Sequence, residues 1–170
     1  MEAARDVDGL LLRVTDATYP AANESFLGFR VGDWRFLLPV RVHCEIIERP
    51  QVSPIPCVEP WFSGLLNIRG HIVPVVDLRL LPGEAAAAHE KRYLFAIDRG
   101  EKTMALWIDG YPQLVSDFDK SLSPPSALPE HLQRCVAKVY ARDGQAWFKV
   151  DFEPFFKTLG YQPLTRETTS

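Results

Sequence analysis

The chain has 170 residues, of which 46% are hydrophobic and 24% charged, which is typical of one globular domain or of two small lobes that share a core. Its net charge of −3 gives no basic footprint of the kind that nucleic-acid-binding proteins carry, so no nucleic-acid partner is expected. The cysteines, Cys44, Cys57 and Cys135, are an odd number in a chain too large to need disulfides, which predicts reduced thiols and a cytoplasmic protein.

The chain begins with a segment that we predict to be a short amphipathic arm docked on the body of the protein. Its apolar residues recur at helical spacing: Ala3, Val7, Leu10 or Leu11, and Val14. Gly9 weakens this helix. The segment has too few consecutive apolar residues to insert in a membrane. We therefore assign residues 1–24 to the arm, 25–163 to the folded domain and 164–170 to a frayed tail.

Three pairs of apolar runs, each joined by turn residues, predict β-hairpins. The hairpins lie at 26–40 around Gly32-Asp33, at 93–108 around Asp98-Arg99-Gly100, and at 135–152 around Asp143-Gly144. Short strands and frequent prolines favour barrels or a sandwich over parallel βαβ units, so the predicted class is mostly β. Segments 85–88 and 121–129 are predicted loops, and a last helix is predicted over 153–159, with Pro154 at its first position and Gly160 past its end.

The most informative segment is 64–80, in which a short, mainly polar insert interrupts an apolar run: Asn67-Ile68-Arg69-Gly70-His71. A run of this length is covered on both faces, so Arg69 beside a glycine indicates presentation to a partner; the alternative is a solvated charge in a strand connection. Gly70 supplies a turn of positive φ or lets another backbone approach. Pro74 cannot donate to a central ladder, so its strand lies at an edge, bends, or crosses between lobes.

Catalytic signatures are missing from the sequence: it has no glycine-rich phosphate loop, CxxC, HExxH or GxSxG motif. His43 and Cys44 are adjacent and would point to opposite faces of a strand, which argues against a shared metal. Asp109 fits the pattern of a turn residue at the end of a strand better than that of an acid in an active site. We therefore expect no enzyme activity, no cofactor and no metal.

The segment from Gly64 resembles the characteristic motif of the CheW-like family of chemotaxis coupling proteins. The matching residues are Gly64, Asn67, Arg69, Gly70, Ile72, Pro74, Val75, Asp77 and Leu78. The similarity begins at Phe26-Leu27-Gly28-Phe29 and continues, more weakly, to the last strand and helix. The N-terminal arm and Trp61-Phe62 are more similar to the type IV pilus, twitching-motility branch of the family, that of PilI.

The resemblance implies two intertwined five-stranded SH3-like barrels with short N-terminal and C-terminal helices and an apolar groove between the barrels. It implies an adaptor that couples the cytoplasmic hairpin of methyl-accepting chemoreceptors to the regulatory CheW-like domain of a CheA-type histidine kinase, in flagellar or twitching motility. The positions carried over as protein-binding are Glu45, Asn67, Arg69, Gly70, His43, Asp109 and Tyr111.

Among these positions, Glu45 and Arg69 are expected to face each other at a lobe surface. His43 replaces the aliphatic residue that is usual in the family; if it lines the groove, receptor affinity should weaken as pH falls through about 6.5. Tyr111 stands where the family prefers valine. Two competing interpretations are a free-standing β-barrel module that binds a peptide or small ligand, and an enzyme that uses Asp109 with a histidine.

Overall fold

The computed structural model describes residues 24–81, 91–122, 128 and 130–161. The predicted N-terminal arm and its helix, the predicted loop at 85–88 and the C-terminal tail lie outside the described residues. The described residues form ten strands: β1 (Phe26–Val31), β2 (Trp34–Pro39), β3 (Cys44–Ile47), β4 (Phe62–Ile68), β5 (His71–Val76), β6 (Arg92–Ile97), β7 (Met104–Val115), β8 (Lys120–Leu122), β9 (Val136–Arg142) and β10 (Gln145–Val150). They also form helices α1 (Glu130–Gln133) and α2 (Phe152–Tyr161), and two 3-10 turns, Leu78–Leu80 and Gly100–Lys102.

The strands divide into two groups of five. The hydrogen-bonded order is β3-β6-β7-β1-β2-β10-β9-β8, and β5 pairs with both β4 and β7. We call β1, β2, β8, β9 and β10 the first lobe and β3 to β7 the second lobe. The chain builds β1 and β2, completes the second lobe, and then returns to finish the first. This topology confirms the expected mostly-β fold of two intertwined five-stranded lobes, although the sheet does not close on itself.

Strand β7 joins the two lobes because its halves have different partners. From Met104 to Asp109 it pairs with β6, and from Asp109 to Val115 it pairs with β1, with a register shift at the change of partner. The largest apolar cluster also spans both lobes, with Phe29 and Phe36 packed in it together with Phe95. The lobes therefore share one core.

The three predicted hairpins are present as antiparallel pairs. In the third, Phe152 leaves the strand and begins α2, which extends to Tyr161, so Gly160 lies inside the helix and not past its end. A glycine lowers helix propensity without by itself ending a helix. Pro154 is the third residue of α2, still in the first turn, where an N–H has no partner within the helix.

The predicted loop at 121–129 was wrong at its start. Ser121 and Leu122 belong to β8, where they pair with Tyr140 and Val139 of β9. That partner lies far along the chain, so no local pattern indicates it. Residues 123–127 and 129 lie outside the described residues.

Pro74 marks where β5 gains a second partner. It lies opposite Leu65 of β4, whereas pairing of β5 with β7 is confined to Val75 and Val76. At Pro74 one side of the strand is therefore an edge, which suits a residue without an N–H, and beyond it Val75 and Val76 pair with β7 on that side while they still pair with β4. Among the helices of the described residues, none has the length and apolar character needed to cross a bilayer.

Candidate partner-binding site

Glu45 and Arg69 form an ion pair at the surface of the second lobe. The Arg69 guanidinium donates from Nη1 to Glu45 Oε2 at 3.2 Å and from Nη2 to Glu45 Oε1, so the contact is bidentate. The Arg69 side chain is 68% exposed and that of Glu45 29% exposed. The expectation that these residues face each other in a partly exposed, charge-assisted contact is confirmed.

A strained turn presents Arg69. The β4–β5 turn consists of Arg69 and Gly70, whose φ values are +48° and +86°, as the central residues of a type I′ turn require. Asn67 Oδ1 accepts the Gly70 N–H at 2.9 Å and braces the turn. Positive φ is unfavourable for arginine, so the backbone preference of the residue does not explain an arginine at this position. Gly70 serves the turn: none of the described residues places an atom within 4 Å of where its Cβ would be.

The ion pair changes the titration of Glu45. The hydrogen bond from Arg69 is the main reason that the pKa of Glu45 is lowered from 4.5; partial burial opposes this, and the charges of Arg69 and His43 add to it. Because the folded-state pKa is depressed, the pair is fully formed above pH 4.5 and is lost as pH falls through the folded value. We expect the Glu45 carboxyl, followed by ¹³C NMR, to titrate below 4.5, and its midpoint to rise in Arg69→Ala.

The variant Arg134→Ala is the control for this titration, since it removes an exposed arginine that pairs with Glu130 and contacts neither Glu45 nor His43. Its Glu45 midpoint should stay that of the parent. A midpoint that is the same in Arg69→Ala and in the parent would show that the pair does not form in solution.

His43 belongs to this surface and not to the groove. It precedes β3, its imidazole Nδ1 lies 3.0 Å from Arg99 Nη2, and its charge influences Glu45. The residue that lines the groove between the lobes is its neighbour Val42. The condition that His43 lines the groove is not met, because the chain turns there and the side chains of Val42 and His43 point to different sides. The pH dependence of groove binding that depended on it is no longer expected.

Asp109 has a structural position. It lies in the middle of β7, not at the end of a strand, and is 7% exposed. Its Oδ2 accepts the Gly32 N–H at 2.6 Å, and its Oδ1 lies 3.7 Å from Arg92 Nε. The side chain thus ties the β1–β2 turn of the first lobe to the second lobe, and its carboxylate oxygens meet groups of this chain. It also lines, with Tyr111, a cavity of about 320 Å³ whose lining includes neither residue of the ion pair. We leave Asp109 out of the candidate surface.

Tyr111 lies apart from the Glu45 cluster. It belongs to the half of β7 that leads away from β6, its side chain is 59% exposed, and its ring centroid is 4.2 Å from that of Tyr93. The structure therefore brings five of the seven predicted positions together: His43, Glu45, Asn67, Arg69 and Gly70. It separates Tyr111 and Asp109 from them.

Sequence reasoning missed Ile72 as an exposed residue. It lies opposite Asn67 in the β4–β5 ladder and is 64% exposed, so an apolar side chain accompanies Arg69 on the surface. The signal was present, since Val73 and Val75 are the buried positions of an alternating strand and leave Ile72 outward. We call Glu45, Asn67, Arg69 and Ile72 the pair surface.

A groove of about 680 Å³ separates the two lobes. Its apolar lining comes from both lobes, from the connection after β2 and from α2: Leu38, Pro39, Val42, Ile97, Met104, Ala137, Val150, Phe152 and Phe156. Charged residues of both signs surround this lining: Arg41, Asp98, Glu101, Lys102, Lys149, Asp151, Glu153 and Lys157. The hairpin around Gly100 contributes to the groove as expected, but the Gly32 turn and Pro74 do not line it.

Among the described residues, no group of three potential metal ligands comes together.

Known proteins resemble the chain along most of its length. A family model described as the CheW-like domain matches residues 25–159. The chain is 28% identical to protein PilI of Pseudomonas aeruginosa over 154 residues. This alignment covers 84% of this chain and 83% of PilI. It is 24% identical over 132 residues to the chemotaxis protein CheW of Rhizobium meliloti, which covers 76% of this chain and 85% of that protein. The crystal structure of the scaffolding protein TtCheW from Thermoanaerobacter tengcongensis has a TM-score of 0.67 at 18% identity, covering 86% of this chain and 96% of that one, and shows the shared fold.

Proposed function

The chain belongs to the CheW-like family, and from this premise we propose that it is a non-catalytic adaptor that couples chemoreceptors to a histidine kinase in chemotaxis or twitching motility. The observation that carries the proposal is the family match over residues 25–159, within which the Glu45–Arg69 pair is formed and exposed. The activity is binding, not catalysis, and a cytoplasmic location suits such partners.

We assign the pair surface to the regulatory CheW-like domain of a CheA-type kinase. Arginine is enriched among the residues that dominate binding energy, and its bidentate contact with Glu45 fixes the guanidinium in one orientation before binding. Exposed Ile72 beside it supplies apolar area that a partner would bury. A charged anchor next to an apolar contact favours docking of another folded domain.

We assign the groove to the cytoplasmic helical hairpin of a chemoreceptor. An apolar lining bordered by charges of both signs fits an amphipathic helix, whose apolar face enters the groove while its polar face meets the charged residues. Half-buried Met104 and Phe156 offer adaptable and aromatic contacts there. Either surface alone would suit a free-standing peptide-binding module; the two together suit an adaptor.

Substitution of Arg69 tests the kinase contact. We expect Arg69→Ala to weaken binding of the kinase regulatory domain by about 30-fold, because the anchor of the interface is lost. Its thermal unfolding should stay close to that of the parent, since the pair is exposed. Isothermal titration calorimetry measures the affinity.

The matched control is Arg134→Ala, which removes another exposed arginine paired with a glutamate, Glu130, at 3.0 Å. Its affinity for the kinase domain should equal that of the parent. Equal losses in the two variants would contradict the assignment of the pair surface. A parent chain that binds no kinase domain would contradict the adaptor and favour the peptide-binding module.

A further inference from the structure

Arg99 differs from the other charged residues of the β6–β7 connection, because it does not line the groove. Those that do are Asp98, Glu101 and Lys102. Arg99 is exposed, and its Nη2 lies 3.0 Å from Nδ1 of His43. His43 precedes Glu45 by two residues, a spacing that places two side chains on one face of an extended chain, and its charge acts on Glu45. Arg99 therefore lies at the border of the pair surface.

The backbone of Arg99 is anchored beside the start of β3. Asp98 donates its N–H to the His43 carbonyl at 2.8 Å, and Asp98 Oδ1 accepts the Arg99 N–H at 3.1 Å. The Thr103 hydroxyl donates to the Asp98 carbonyl at 3.4 Å. Because these bonds fix the main chain, the freedom of Arg99 lies in its side chain, whose guanidinium contacts the imidazole of His43.

This contact requires a neutral imidazole. A guanidinium has donors and no acceptor, so Nη2 of Arg99 donates to a lone pair on Nδ1 of His43, and the proton of the neutral ring is on Nε2. Protonation of Nδ1 would place two donors of like charge against each other. The charged imidazole would also be attracted to the Glu45 carboxylate, whose pKa its charge lowers, in competition with Arg69.

His43 is the group in this contact whose charge changes near neutral pH. The charged and titratable groups around it are Arg99, Glu45, Cys44 and Asp98. Arginine stays charged, and the pKa of Glu45 is lowered from 4.5 by the hydrogen bond from its arginine partner. Burial raises the pKa of the Cys44 thiol to about 12, and Asp98 meets His43 through a backbone N–H. Imidazoles change charge between about pH 5 and pH 8.

We propose that neutral His43 is a positioning residue, which holds Arg99 at the border of the pair surface as a second arginine for acidic groups of the kinase regulatory domain. The role in binding rests on the proposed function, whereas the contact itself does not. A side chain that is already held in one direction loses less freedom on binding, so a held arginine binds more tightly than a mobile one. Acidification charges His43, releases Arg99 and weakens binding.

The contact is tested on the full chain by NMR relaxation of the arginine side chains at about pH 7.5 and about pH 5.5, with Arg99→Lys assigning the signal. We expect the Arg99 side chain of the parent to be ordered at the higher pH and mobile at the lower pH. In His43→Val, which has no acceptor, it should be mobile at both. In His43→Asn it should be ordered at both, because the amide oxygen is an acceptor that does not titrate.

The effect on binding is tested by titrating the kinase regulatory domain into the same proteins at the same pH values. The parent should lose affinity on acidification by about 5-fold relative to His43→Asn, as expected for one exposed contact. His43→Val should bind at the higher pH as weakly as the parent does at the lower pH. Titration of the kinase domain itself affects every variant equally and cancels in these ratios. His71→Asn, which removes an exposed imidazole at the start of β5, is the control and should keep the loss of the parent.

An equal loss on acidification in His43→Asn and in the parent would overturn the positioning role. A loss that disappears in His71→Asn would also overturn it, since the other imidazole would then cause the pH dependence. An Arg99 side chain that is equally mobile at both pH values in the parent overturns the contact. A kinase domain that binds none of these proteins contradicts the proposed function, and the relaxation of Arg99 then decides the contact by itself.

Discussion

Gly64→Ala should lower the free energy of unfolding by about 3 kcal/mol or more, because a methyl group at this position meets backbone and not side chain. A Cβ built on Gly64 would lie 2.1 Å from the carbonyl oxygen of Ser53, and the residue has a φ of +139°. Ser53 exchanges two backbone hydrogen bonds with Leu65, at 2.8 and 2.9 Å, so neither segment can move away without losing them. Urea denaturation measures the change.

Gly70→Ala is the matched control from the same motif. Its φ is +86°, but nothing among the described residues lies within 4 Å of the added Cβ. Only the backbone preference opposes the change, so we expect a loss of about 1 kcal/mol. The difference between the two variants then measures the close approach of Ser53 to Gly64. Equal losses would show that strain in φ, and not this approach, makes the glycine necessary.

Asp77→Ala should also destabilise the chain strongly, by about 3 kcal/mol, because it leaves a largely buried arginine without its main partner. The Arg92 guanidinium donates to both carboxylate oxygens of Asp77, each at 2.7 Å. Asp77 is 6% exposed, and it also accepts the Arg79 N–H at 3.2 Å, which caps the 3-10 turn that follows β5. The remaining acidic contact of Arg92 is Asp109, at 3.7 Å.

Glu130→Ala provides the comparison, since it removes an arginine-bound carboxylate whose side chain is 77% exposed. Exposed pairs of this kind contribute only a few tenths of a kcal/mol, so its unfolding midpoint in urea should nearly equal that of the parent. If Asp77→Ala were as mild, the buried network would not be needed for the fold.

The chain thus uses arginine–carboxylate pairs for two purposes, which burial separates. The network of Asp77, Arg92 and Asp109 links β5, β6 and β7 to the Gly32 turn of the first lobe, and so helps to hold the lobes on either side of the groove. The Glu45–Arg69 pair lies in solvent and contributes little to folding, which leaves its arginine available to a partner. Substitutions in the buried network should destabilise the fold, and substitutions in the exposed Glu45–Arg69 pair should weaken partner binding.

The sequence determined the local elements. The hairpins at Gly32, Gly100 and Gly144 follow from turn residues between apolar runs, since a turn and its flanking strands are close along the chain. The same reasoning missed β8, which is decided by its pairing with β9, and it placed the end of α2 too early, at Leu159 instead of Tyr161. The motif around Arg69 identified the turn that carries the surface, and the family resemblance supplied its pairing with Glu45.

Only the tertiary structure decided which of the candidate residues lie together. Asp109 followed by glycine has the pattern of a strand end, but β7 continues through it from one lobe to the other and buries it against Arg92. The sequence around His43 does not indicate whether the residue lies in the groove or at the pair surface. Its position beside Arg99 depends on the pairing of β3 with β6. Local sequence patterns encode periodicity and turns, whereas burial and the meeting of charges depend on contacts between strands that are distant in sequence, and these exist only once both lobes have formed.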